Sequence, residues 1–156
     1  MNEVEKKILN RIDETRDEII NFHQEIVRIP SENPPRKYKE IARFTCDAFN
    51  SLGLKTMIKR DNVIGEISGG EGPALIFYGH LDTVEAFSEW TKDPFGGELI
   101  EGKIYGRGAS DDKFSVIAEI FATRALLEEK LKFNGKLILT AVIDEEMGDI
   151  KEHIIY

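Results

Sequence analysis

The sequence predicts an α/β fold of the three-layer αβα sandwich type, and three observations predict it. Residues 74–78 and 137–143 form short, continuously apolar runs, the pattern of strands buried on both faces of a covered sheet. A helical segment, residues 112–130, lies between them. Amphipathic helices precede the first strands, and strands alternating with helices build helices onto a sheet.

Each element has its own justification. In residues 4–29 the apolar side chains Val4, Ile8, Ile12, Ile19, Phe22 and Ile26 make one stripe among charges, which predicts an amphipathic helix ending at Pro30. The run Pro30-Ser31-Glu32-Asn33-Pro34-Pro35 holds three prolines and reads as a stiff surface loop. A second helix, residues 38–52, aligns Ile41, Phe44, Ala48 and Leu52 and ends at Gly53, a residue suited to the C′ position. Cys46, the single cysteine, sits on this helix and reads as a small hydrophobe. Strands follow at 54–58, 63–67 and 74–78, the last two joined by a glycine-rich turn over 69–73. Residues 81–108 read as irregular.

With 156 residues the chain fits one domain, 1–156, large enough to bury a core without disulfides. The charge balance, 29 acidic against 21 basic residues, gives a net charge of −8. That argues against nucleic acid or an anionic membrane surface as partner, since both call for clustered Lys and Arg. One cysteine permits neither an internal disulfide nor a thiolate cluster, no apolar leader opens the chain, and no run reaches the roughly 20 apolar residues of a membrane span. The expected location is the cytoplasm.

Polar residues of metal-ligand type follow both apolar strands: Tyr78-Gly79-His80-Leu81-Asp82 after the first and Asp144-Glu145-Glu146 after the second. In α/β sheets the site lies outside the carboxyl ends of the strands. A third cluster, Gly106-Arg107-Gly108-Ala109-Ser110-Asp111-Asp112-Lys113, delivers two aspartates to a helix start. Imidazole and carboxylate are the donors of a hydrolytic metal site. Taken singly, Asp111 or Asp112 could be a helix N-cap, the acidic triplet a solvated turn, and His80 a structural histidine. Their conjunction at one sheet edge favours a site. Two phosphate motifs fail: Gly97 and Gly102-Lys103 are followed by Ile104 where Ser or Thr should stand, and the third glycine of a dinucleotide fingerprint falls on Asp111.

The stretches Gly79-His80-Leu81-Asp82-Thr83-Val84, Gly106 to Lys113 and Asp144-Glu145-Glu146-Met147-Gly148 resemble the three successive signatures of the co-catalytic zinc peptidase family. That family contains acetylornithine deacetylase, succinyl-diaminopimelate desuccinylase, aminoacylase, glutamate-releasing carboxypeptidases and carnosine dipeptidases. Trp90 to Phe95 and Gly102 to Tyr105 also resemble family wording, and the likeness runs over residues 19–148. The resemblance implies the phosphorylase/hydrolase-like catalytic domain of a zinc-dependent amidohydrolase. Its substrates would be small N-acyl amino acids or peptides, with two zinc ions as cofactors and Co2+ as a substitute.

Residue by residue, the resemblance implies that His80 ligates the first metal, Asp111 bridges both and Glu146 ligates the second. Glu145 would be the general base, Asp82 would hydrogen-bond the His80 imidazole to fix its tautomer, and the Asp111–Asp112 peptide would be cis. Phe114 stands where the family usually has glycine. Family members are longer, with further metal ligands and an inserted lid domain, so a truncated domain without the lid is expected, together with impaired activity. Of the remaining histidines, His153 reads as an exposed helical residue and His23 as structural. The alternative reading is a non-catalytic fragment with residual metal binding or an assembly role. Self-association through an open sheet edge and an uncovered apolar face is a further expectation.

Overall fold

The computed structural model describes residues 1–148. Helices α1 (Glu3–Glu14), α2 (Arg16–Val27) and α3 (Lys39–Ser51) come first. Strands β1 (Lys55–Lys59), β2 (Asn62–Ser68) and β3 (Ala74–His80) follow, then β4 (Glu98–Ile100) and β5 (Lys103–Tyr105). Helix α4 (Lys113–Glu128), strand β6 (Lys136–Val142) and a 3-10 turn, Glu145–Met147, complete the order. The expected terminal helix with His153 lies outside the described residues.

The main sheet has the order β1-β2-β6-β3, with β2 antiparallel to β1 and to β6, and β3 parallel to β6. Pairing of Gly65 with Leu139, Leu139 with Phe77, and Ala141 with Gly79 puts these residues on one face. Helix α3 packs there, with Phe49 against Gly65, and so does α4, with Val116 against Gly79. Helix α2 joins them through Phe22, whose ring lies 5.0 Å from Phe44 and 5.8 Å from Phe121. The core is this interface: Ile26, Ile41, Phe49, Val63, Val116, Leu139 and Ala141 among others. The α/β class therefore holds, and the described residues build the sheet and one helical layer.

Three local expectations are corrected. The first helix is two helices, because Thr15 serves as C-cap of α1 and N-cap of α2. Its buried hydroxyl donates back to the Arg11 carbonyl at 2.9 Å, a bond that competes with helix continuation. Among the described residues β3 pairs only with β6 and stands at the edge of the sheet, and Leu75, Ile76 and Tyr78 are about half exposed instead of buried on both faces. Only β6, held between β2 and β3, matches the doubly covered reading. Finally, the segment read as irregular contains the β4–β5 hairpin. Glu101 and Gly102 both have positive φ at its turn, as a two-residue hairpin turn with the right twist requires.

Candidate metal centre

Because β3 and β6 are parallel neighbours paired through His80 and Val142, their carboxyl ends lie side by side. The chain after β3 starts by bonding Leu81 N–H to the Val142 carbonyl at 2.7 Å. The proline-containing loop closes the other side: Thr83 N–H donates to the Ser31 carbonyl at 3.0 Å, Asn33 N–H to the Thr83 carbonyl at 2.8 Å, and the Ser31 hydroxyl to the Leu81 carbonyl at 2.6 Å. The three segments that carry His80, Asp111 and Glu145-Glu146 meet at this end of the sheet.

His80, Asp111 and Glu146 each offer one ligand atom, and the three atoms lie within 4.8 Å of one another. His80 is 7% exposed in its side chain, whereas that of Asp111 is 81% exposed. His80 Nε2 stands 3.2 Å from Asp111 Oδ1 and 3.6 Å from Glu145 Oε2. Its Nδ1 lies 3.0 Å from the backbone carbonyl of Asp82, which can only accept, so Nδ1 carries the proton and Nε2 faces the carboxylates.

Asp82 meets the His80 ring chiefly through its main chain. Its carboxylate is 3.5 Å from His80 Nδ1, and the hydrogen bond to the ring is made by its main-chain oxygen. The carboxylate accepts instead from the backbone N–H groups of Glu145, at 3.3 Å, and Glu146, at 3.2 Å. One fully buried aspartate thus orients the histidine and fixes the acidic turn after β6.

Sequence reasoning gave two other carboxylates, Asp112 and Asp144, no role of their own at the site. Asp112 occupies the N-cap position of α4 but makes no side-chain cap bond. Its Oδ2 accepts the His80 N–H at 3.3 Å and its Oδ1 accepts the Ser115 hydroxyl, tying the aspartate loop to the end of β3. The Asp111–Asp112 peptide is cis. Asp144, buried and in left-handed backbone conformation, accepts from Asn33 Nδ2 and the Tyr38 hydroxyl, both at 2.8 Å. Burial and then Asp144 push the Tyr38 hydroxyl well above its ordinary range. No periodicity marks such a residue; the only sequence cue is its place before Glu145-Glu146.

The electrostatics fit a cation. Burial opposes a charge on His80, yet the Asp82 carboxylate and carbonyl, with Asp112, push its pKa up to about 9. Glu146 is raised by its own burial and by Asp111, Asp82 and Glu145, with His80 opposing. Tyr78 is raised by burial and by Glu145, Asp82 and Asp112. Beside burial, each of these three groups is shifted by the carboxylates around it. A divalent ion suits the same donors, one imidazole nitrogen with carboxylate oxygens.

His23 reaches the aspartate loop: burial lowers its pKa, and its Nε2–H donates to the Ala109 carbonyl at 2.9 Å. Cys46 is half-buried and packs against the core. Phe114 is about half exposed.

Residues 76–154 match the family described as Peptidase family M20/M25/M40. A succinyl-diaminopimelate desuccinylase of Rhodospirillum centenum is 36% identical over 139 residues, covering 81% of this chain and 35% of the relative. An N-formyl-4-amino-5-aminomethyl-2-methylpyrimidine deformylase of Bacillus subtilis is 31% identical over 151 residues, covering 89% and 35%. Among solved structures, the M20 family metallo-carboxypeptidase Sso-CP2 of Sulfolobus solfataricus superposes with a TM-score of 0.78 at 28% identity, over 84% of this chain and 32% of that one. Human carnosine dipeptidase 1 gives 0.80 at 25% identity, over 96% and 36%. The chain spans about a third of the length of the curated relatives it matches.

Proposed function

The chain belongs to peptidase family M20/M25/M40, and from that membership we propose that it carries part of the metal centre of an amide-bond hydrolase. Its substrates would be small N-acyl amino acids or peptides. The observation that carries this is the meeting of His80, Asp111 and Glu146 within 4.8 Å, with the Glu145 carboxylate 3.6 Å from the same imidazole nitrogen. His80, Asp111 and Glu146 would hold the metal, zinc by family likeness and Co2+ as its substitute. When bound, a divalent ion acidifies water and polarises an amide carbonyl.

The chain's own residues do the rest. Glu145, 43% exposed and so open to substrate and water, takes the proton of the attacking water and returns it to the leaving amine. Asp82 presents His80 Nε2 by accepting from Nδ1 with its carbonyl, and holds the Glu145-Glu146 turn with its carboxylate. The bound molecules are small acyl or peptide compounds rather than nucleic acid or membrane, in keeping with the net charge of −8, and the setting proposed is the cytoplasm.

A second reading rests on the donor count. Catalytic zinc sites commonly take three protein ligands per metal, and among the described residues one cluster of three serves the whole centre. On this reading the 156-residue chain by itself binds metal weakly and turns over little, acting as a binding or assembly module. Release of free amine from N-succinyl and N-acetyl amino acids and from dipeptides, with Zn2+ or Co2+ present, separates the two. Turnover abolished in Glu145→Ala establishes the enzyme in this chain. Metal uptake without turnover favours the second reading, and neither uptake nor turnover overturns both.

A further inference from the structure

We propose that Lys113 and His23 are positioning residues for the metal centre: they fasten the loop that carries Asp111 to the C-terminal end of α2. The inference rests on the reading of Asp111 as a metal ligand.

Lys113 opens α4 and is 0% exposed. Its Nζ donates to the carbonyls of Ile29, at 2.8 Å, and Ile26, at 3.1 Å. These carbonyls lie at and just past the end of α2, where intrahelical donors run out and a cation is favoured. An apolar side chain would fill the same space without the cost of burying an ammonium. What lysine adds is the pair of hydrogen bonds.

The loop is wrapped around the lysine stem. A Cβ on Gly108 would stand 3.2 Å from Lys113 Cε and 2.6 Å from Thr83 Cγ2, and Gly108 has φ +78°. The Lys113 N–H bonds back to the Gly108 carbonyl at 3.2 Å. From α2 itself, His23 Nε2–H donates to the next carbonyl, Ala109, at 2.9 Å. Residues 108, 109 and 113 are therefore all tied to α2 or to the lysine that reaches it, and Ser110, Asp111 and Asp112 span the space between. The Asp111 side chain is 81% exposed. Little packs around its carboxylate, so its place 3.2 Å from His80 Nε2 is set by its backbone, and its backbone is set by these anchors together with the bond from the His80 N–H to the Asp112 carboxylate.

The test uses the full 156-residue chain with Lys113→Met, which keeps the length of the stem and loses the donors. It adds His23→Leu, and His23→Gln, which retains a donor for the Ala109 carbonyl. Two measurements are made: Co2+ titration followed by visible absorption, and amide hydrogen exchange of residues 106–112 in metal-free protein. Lys113→Met and His23→Leu are expected to weaken Co2+ binding by about tenfold or more, to change the absorption envelope, and to speed exchange in 106–112 while β6 amides stay protected. His23→Gln should stay near the parent chain. Variants that lose thermal stability yet bind Co2+ with unchanged affinity and spectrum overturn the proposal. If Lys113→Met does not fold, the His23→Leu and His23→Gln pair decides. Should the parent chain take up no Co2+, the metal reading itself fails, and the exchange measurement separately decides whether the anchoring stands.

Discussion

Asp82 Oδ2 accepts the backbone N–H of Glu146 at 3.2 Å, joining the loop after β3 to the turn after β6. Oδ1 takes the neighbouring N–H of Glu145 at 3.3 Å. Because the same residue's carbonyl holds the His80 ring, one side chain and its peptide set the spacing between the histidine and the acidic turn.

Replacing Asp82 by alanine should therefore act on both folding and metal binding. Two N–H groups beside a fully buried position lose a charged acceptor, and hydrogen bonds to charged groups contribute about 1.5–3 kcal/mol each. The expected loss of stability is about 3 kcal/mol, since the two bonds share one carboxylate and do not add fully. Urea unfolding at pH 7 measures it. An unchanged midpoint would mean that the turn is held by something else.

Metal uptake should depend on both His80 and Asp111. With three clustered donors among the described residues, removal of either leaves two, too few for a firm site. Zinc titration calorimetry is expected to show weak binding by the parent chain and loss of most of it in His80→Ala and in Asp111→Ala. Tight binding of two zinc ions, or indifference to both substitutions, would contradict the donor count.

The legible part of this structure is what depends on local pattern. Residues 74–78 and 137–143 announced strands because apolar runs bounded by turn residues have few other uses, and the residues just after them marked a site because strand ends carry sites. Illegible was what depends on neighbours. The apolar run of β3 looks as buried as that of β6, and only the strand order puts it at an edge with Tyr78 half exposed. The hairpin of Leu99 and Ile104 is too short for a period to emerge. Asp112 and Asp144 looked like a cap and a turn residue because their partners, His80 N–H and the Tyr38 hydroxyl, are 32 and 106 positions away. Thr15 shows the same limit in a helix, where one back-bonded hydroxyl divides a stripe that otherwise reads through.

The final prediction concerns Glu119, a carboxyl on α4 that is 5% exposed and whose Oε2 has no hydrogen-bond partner among the described residues. Burial, with Asp112 adding to it, pushes its pKa from an ordinary 4.5 up to about 9. A carboxyl raised in the folded state favours folding fully only below its unfolded pKa, and this contribution is lost as pH rises from about 4.5 towards 9. At pH 7 the unfolded chain has released the proton that the folded chain still holds. At 1.36 kcal/mol per pH unit, the loss between pH 4.5 and 7 is roughly 3 kcal/mol. Glu119→Gln keeps the shape and cannot ionise. It should therefore be more stable than the parent at pH 7 by about that amount, nearly equal to it at pH 4.5, and further ahead at pH 8.5. Urea unfolding of both chains at the three pH values checks this, because the acids not coupled to Glu119 titrate alike in the pair and cancel in the difference. A difference that does not grow with pH would mean that Glu119 is ionised in the folded protein.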